Sequence, residues 1–359
     1  MSSIKRNIEI ALRLLLALLF IFSGGAKSID CVGTSLYVVS HLEALHLGAL
    51  STISELLAVL LGGVELALGL LLLLNIMPRV TRFAAMAMLA LFTLVTLLNL
   101  TLLPLDDCGC FGDVVTLSTE ATFLKNLVLF PLSVVVWLAA RKEHRPKVGE
   151  ALAVGVIFVG ALAVNLYTLR HLPLVDLLPY NVGTNLREAV NNERKAVDSS
   201  MRTELIFRGV EDGAEYRFAV DCVECWKDDS LEYVGVESVK DDSLDLQYDD
   251  FALFDQQGED CALELLSEDG LRLWLTLASS DMLEKFGGLD YVVAQIQRLY
   301  PHSEVVVLSA VAMEDSSSEV AIYGVDRSTL RTMIRADIGV VLIRDGIVEA
   351  KFNIRDLDI

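Results

Sequence analysis

The chain of 359 residues is 53% hydrophobic, with a mean hydropathy of +0.51, yet it carries 49 acidic against 29 basic side chains for a net charge of −20. Residues 1–170 balance to +1 and residues 171–359 to −21, so a nearly neutral, membrane-like half precedes a strongly acidic, water-facing one. The acidic balance excludes a nucleic-acid binder, the regular apolar strand patterns exclude disorder, and five scattered His make no metal array.

In chain order, long apolar runs at Ile8–Ala26, Ile53–Leu74, Phe83–Leu103 and Phe123–Ala140, and a fifth at about Leu152–Leu169, each approach the length that crosses a hydrocarbon core. Residues 28–51 mix His41, Glu43 and His46 with apolar positions and read as an amphipathic interfacial segment. Lys5 and Arg6, then Arg79 and Arg82, then Arg141, Lys142, Arg145 and Lys147 fall on one side of a five-span bundle, which the positive-inside rule makes cytoplasmic. The expected location is the inner (cytoplasmic) membrane, multi-pass, with the bilayer as first partner, the N-terminus cytoplasmic and everything after Arg170 extracytoplasmic. An alternative makes the first span a signal peptide, with Gly24 and Ala26 at the −3 and −1 positions. Glu9 and Arg13 inside that run are spaced to pair at i,i+4.

All six cysteines (31, 108, 110, 222, 225 and 261) fall on the extracytoplasmic side or its boundary, where disulfides persist. Cys108–Gly109–Cys110–Phe111–Gly112–Asp113 is the most distinctive string. Two thiols one Gly apart form a strained, exchangeable ring or exchange with a third thiol, and Cys31 is the candidate partner; the competing reading is a structural bridge from this loop to Cys31. Cys222 and Cys225 have the spacing of a thiol–disulfide active site, but their acidic neighbours and the absence of a helix start favour a structural disulfide or two thiols. Within the spans, Glu65 is a candidate proton or quinone-headgroup ligand, against a packing carboxylate paired with Lys27 or another span. Asn99, Asn126 and Asn165 are expected to hydrogen-bond between helices, and Glu55 to reach water.

Residues 171–202 read as a linker leaving the membrane. Residues 203–270 form a β-rich segment, with strands expected at Thr203–Arg208, Tyr216–Val220, Leu231–Ser238 and Phe251–Phe254. From 271 to 359 the order is a strand at Arg272–Ala278, a helix at Met282–Tyr300, a strand at Glu304–Ser309, a helix at Arg327–Arg335 and a hairpin over Gly339–Phe352 turning at Asp345–Gly346.

Three strings carry a family resemblance: Ser23–Gly–Gly–Ala–Lys–Ser–Ile–Asp30, Glu65–Leu–Ala–Leu–Gly69 and Cys108–Gly–Cys–Phe–Gly–Asp113. Residues 1–140 resemble the DoxX/MauE membrane family, which implies a four-helix bundle, here with a fifth span at 148–170. The resemblance implies a link to methylamine utilisation and maturation of disulfide-rich extracytoplasmic proteins, and to thiol chemistry coupled to a quinone. In that reading Cys108 and Cys110 are the redox pair, Cys31 a partner thiol and Glu65 a proton or quinone ligand. Bacteroidetes-type members of that family often have Pro where this chain has Cys31, which sets Cys31 apart. The whole layout resembles Bacteroidetes-type members with a C-terminal thioredoxin-like extension, and the β-α-β-α-β-β order from 271 is similar to a thioredoxin fold. Its usual Cys pair is replaced by Ala278–Ser279–Ser280–Asp281. The alternative function is a non-enzymatic scaffold whose acidic domain docks an extracytoplasmic protein.

Overall fold

A computed structural model describes residues 3–102, 112–115, 117–140, 147–222, 224–239, 246–301, 303–311 and 320–357. Two compact units emerge. The first comprises residues 1–178 with the late segments 331–340 and 352–359, and the second comprises 179–330 and 341–351.

The first unit is a helical bundle. Its long helices are α1 (Ser3–Ile29), α3 (Ser54–Leu74), α4 (Pro78–Thr101), α5 (Thr119–Leu138) and α6 (Val148–Arg170), and all five are long and apolar enough to cross a membrane. The shorter α2 (Cys31–Ala44) occupies the stretch expected to be interfacial, and the Asp30 carboxylate caps it by accepting from Gly33 N at 2.7 Å. Between α3 and α4, Asn75 takes the left-handed conformation that closes a helix and Pro78 opens the next one, which makes a tight reversal. The core of the bundle packs Leu16, Ala17 and Phe20 of α1 against Leu68 and Leu72 of α3, with Leu89 of α4 and Leu129 of α5.

Glycine sets how closely α1 and α3 approach. A Cβ on Gly24 would lie 2.3 Å from Leu66 N, and one on Gly69 would lie 2.6 Å from Ile21 N. Both clashes are with backbone, so no side-chain rotation relieves them, and the pair of helices touches main chain to main chain as small-residue membrane interfaces do. On another side of α3, Cβ atoms on Gly62 and Gly63 would meet Asn165 and Leu162 of α6.

At the end of the bundle where α1 begins, Glu9 does not pair with Arg13 as expected. It pairs with Arg82 of α4 at 2.6 Å, while Arg13 donates to the carbonyls of Leu72 and Leu73. The freed carbonyls at the α3 C-terminus compete for the guanidinium, because the last turn of a helix has no intrahelical donors for them. Arg82 also donates to Val136 O and Asn75 Oδ1, so one guanidinium ties four helices.

Most strand residues of two sheets fall in the second unit, and the ends of two strands in the late segments of the first. One is three-stranded, in the order β2 (Glu215–Ala219), β1 (Arg202–Gly209), β3 (Leu231–Val239), with both pairings antiparallel and a register shift at Ile206/Phe207. The other is five-stranded, in the order β6 (Ala321–Gly324), β5 (Glu304–Ser309), β4 (Leu271–Leu277), β7 (Ile338–Arg344), β8 (Ile347–Asn353). β4 and β5 are parallel, as are β5 and β6, and their near-continuous apolar runs are buried, as parallel strands covered on both faces require. Asp345 and Gly346 both have positive φ, 52° and 82°, which is the type I′ turn expected for a two-residue hairpin.

Four expectations change. The stretch read as a linker contains α7 (Leu186–Ser200), capped by Asn185 and buried at Leu186 and Val190; its other positions are mostly polar, so the apolar period is too sparse to stand out. The helix expected over Met282–Tyr300 breaks into α9 (Ser280–Lys285) and α10 (Leu289–Leu299), because Gly287 and Gly288 both adopt positive φ. Phe251–Phe254 is no strand; only Phe254 makes isolated bridges, to Asp260 and Gly324. The edge strand β6 was not anticipated. The remaining helices are α8 (Ala262–Ser267) and α11 (Arg327–Met333).

Candidate functional site in the helical bundle

The close approach of α1 and α3 brings Lys27 onto Glu65. Nζ lies 3.1 Å from Oε1 and 3.2 Å from Oε2, and both side chains are almost wholly buried. Ser23, one turn before Lys27, donates to Glu65 Oε2 at 2.5 Å and accepts from Lys27 Nζ at 2.9 Å. A carboxylate at membrane depth is costly unless paired and hydrogen-bonded, and here it is both. Beside this triad Ser28 accepts from Asn165 Nδ2 at 2.8 Å, and Thr168 donates to Ser28 O at 2.9 Å, which fixes α6 to the end of α1.

Lys27 faces a second environment. It lines a cavity of about 250 Å³ whose walls come from α1, α2, α3 and α4 and consist mainly of Leu, Val, Tyr37 and Phe92. The Lys27 Nζ stands 5.9 Å from the Phe92 ring centroid, a cation–π distance. The polar side chains on the wall are Lys27, Thr34, His41, Thr96 and Asn99. His41 Nδ1 lies 2.7 Å from Tyr37 O, and a carbonyl can only accept, so Nδ1 carries the proton. His41 Nε2 lies 2.9 Å from Asn99 Nδ2 and accepts from it. Asn126 Nδ2 reaches Thr96 Oγ1 at 3.5 Å. All three membrane asparagines thus bond across helices. A cavity of this volume exceeds the roughly 150 Å³ that holds benzene in an apolar core, so a substituted ring fits.

Glu65 is not on the cavity wall; it lies behind Lys27. Glu55, in the first turn of α3, is exposed. Cys31 is a buried, unbridged thiol at the start of α2. Desolvation, with Asp30 and Glu55 adding to it, pushes this thiol up to about 12, so at neutral pH it is a poor nucleophile. Cys108 and Cys110 lie outside the described residues. Their loop follows α4, whose last turns carry Leu98 and Asn99 on the cavity wall.

Asp30, the last residue of the Ser23–Asp30 string, does more than cap α2. Arg335, in a late segment of the same unit, donates to Asp30 Oδ2 at 2.8 Å. Nothing in the sequence signalled this pair, since 305 residues separate the two. The His41–Asn99 bond was equally hidden. Asn99 stands out as an amide in an apolar run, but its partner lies 58 residues away on the amphipathic segment.

In the second unit Cys222 and Cys225 form a disulfide and Cys261 is unbridged. Among the described residues no group of three or more His, Cys, Asp and Glu is arranged to hold a metal ion.

Five candidate spans around a buried ion pair define a multi-pass helical membrane protein. The profile of the family described as Methylamine utilisation protein MauE matches residues 5–141, so this part of the chain is similar to that family. No curated protein matches the chain, and no solved structure does.

Proposed function

We propose that the chain is an integral membrane thiol–disulfide factor that passes electrons from extracytoplasmic cysteines to a lipid-soluble quinone. The observation that carries this reading is the apolar cavity bounded by Lys27, His41 and Asn99, on the helix that leads into the Cys108–Gly–Cys110 loop. The quinone ring occupies the cavity; Cys108 and Cys110 exchange with the client protein; Glu65 acts through Lys27, holding its ammonium at the cavity wall. Cys31, buried and disfavoured as a thiolate, is a late partner thiol rather than the attacking one. The loop charges support a cytoplasmic N-terminus and an extracytoplasmic second unit.

The order β5-β4-β7-β8, built from strand, helix, strand, helix and hairpin, supports a thioredoxin-like reading of the five-stranded sheet. A second function, docking of a partner without chemistry, is favoured for that sheet by one observation: Ala278, Ser279, Ser280 and Asp281 follow β4, and none is a thiol.

The test of exchange at the loop is trapping. Cys108→Ser and Cys110→Ser chains expressed in their native membrane are expected to accumulate mixed disulfides with client proteins through the remaining cysteine. A loop that stays fully oxidised in the wild type, resists reductant and traps nothing contradicts the role.

A further inference from the structure

We propose that the Cys222–Cys225 disulfide is a second thiol–disulfide exchange site, which takes a cysteine-bearing polypeptide with apolar and basic residues beside its thiol. This inference does not depend on any chemistry at Cys108 or Cys110.

The two sulfurs are unequal. Cys225 is 6% exposed and belongs to the small core of the three-stranded sheet with Leu205 and Phe207, whereas Cys222 is only partly buried at its edge. An incoming thiolate therefore reaches Cys222 Sγ and leaves Cys225 as the departing sulfur. Two residues separate the pair, so the bridge closes a very short loop and restrains the unfolded chain little. A staple chosen for stability would link more distant positions.

The surface around Cys222 also suits a polypeptide. Trp226 directly follows the pair and is 56% exposed, although its ring meets Phe207 and Tyr233 at 5.4 and 5.1 Å. Val220, two residues before Cys222, is 58% exposed. Exposed aromatic and aliphatic groups beside an accessible disulfide offer a contact for apolar side chains. Asp221, Glu224, Asp228 and Asp229 are exposed around this patch, with Lys227 as the one opposing charge on the segment. That field repels thiolates in acidic surroundings and attracts those in basic ones, whose own thiols ionise more readily.

The exchange balances. The client thiolate attacks Cys222 Sγ, the S–S bond breaks, and Cys225 leaves as a thiolate that takes a proton from water. A second client thiolate then attacks the client sulfur of the mixed disulfide and releases Cys222. The client gains a disulfide, and the pair gains two electrons and two protons.

The test uses the oxidised full-length chain in detergent and a short peptide with a single cysteine between leucine and lysine residues, with mixed disulfides mapped by mass spectrometry. The expected adduct sits on Cys222, with Cys225 released as a thiol, and forms about tenfold more slowly when aspartate replaces lysine in the peptide. The disulfide-linked peptide dimer is expected to modify Cys222 in a Cys225→Ser chain and to leave Cys225 unmodified in a Cys222→Ser chain. The Cys222 adduct is expected to persist in a Cys108→Ser/Cys110→Ser chain, which separates this site from the loop. A pair that stays bridged under excess peptide overturns the exchange, as does an adduct found as often on Cys225. Equal rates for the lysine and aspartate peptides overturn the proposed client chemistry.

Discussion

Lys27 on α1 and Glu65 on α3 form an ion pair 3.1 Å across inside the bundle, with side chains only 4% and 0% exposed. The pair exists because Gly24 and Gly69 let the two helix backbones touch. It places a cation on the wall of an apolar cavity without leaving that cation uncompensated.

Removing one partner is expected to strand a buried charge. Lys27→Met or Glu65→Leu alone should each destabilise the bundle by about 3–5 kcal/mol, while the double variant should recover much of the loss. Denaturation of the purified protein in detergent measures this. Additive losses in the double variant would show that the two groups do not act as a pair.

The glycine contacts make a position-specific expectation. Gly24→Ala or Gly69→Ala should cost about 1–3 kcal/mol through overpacking, because the added Cβ meets backbone at 2.3 and 2.6 Å. Gly25→Ala, with nothing within 4 Å of its Cβ, should be neutral or slightly stabilising through helix propensity. Thermal melts of the three variants compare these directly.

The Cys31 thiol is held neutral by burial and by Asp30 and Glu55, with its titration pushed up to about 12. At pH 8 only about one thiol in ten thousand is then ionised. Native-state alkylation of Cys31 should be very slow at pH 8 and should accelerate with each pH unit toward 12. Unfolding should restore ordinary reactivity, and rapid labelling of the native chain at pH 8 would contradict this environment.

The Arg335–Asp30 pair is also testable. Arg335→Ala should leave Asp30 as a helix cap while removing its buried cation; a loss of about 3–5 kcal/mol is expected, larger than that from removing the exposed pair Arg344–Glu349, for which Arg344→Ala should change little. Denaturation midpoints of the two variants decide it.

The helices were legible in the sequence because a membrane span needs only length and hydropathy, and Ile53–Leu74 or Phe83–Leu103 state both. The hairpin at Asp345–Gly346 was legible because a type I′ turn demands those residue types. What could not be read was partner choice. Glu9 and Arg13 satisfy the local i,i+4 rule, yet distant groups claim both: Arg82 for one and the α3 carbonyls for the other. Glu65 was visible as an intramembrane carboxylate, and Lys27 as one of its candidate partners. That Lys27, rather than Glu65, faces the cavity depends on helix rotation, which sequence spacing alone does not give. The break at Gly287–Gly288 was missed because the apolar period continues across it.

The most direct measurement of the proposed function is reoxidation of the dithiothreitol-reduced protein by a short-chain quinone in lipid nanodiscs. Val95→Trp and Thr96→Trp fill the cavity, and Glu65→Gln weakens the hold on Lys27. The wild type is expected to reoxidise in a quinone-dependent manner, with the rate reduced about tenfold or more in the tryptophan variants and lowered in Glu65→Gln. Loss of reoxidation in a Cys108→Ser/Cys110→Ser chain should accompany it. A wild-type rate that does not depend on quinone, or that survives filling of the cavity unchanged, would contradict the assignment.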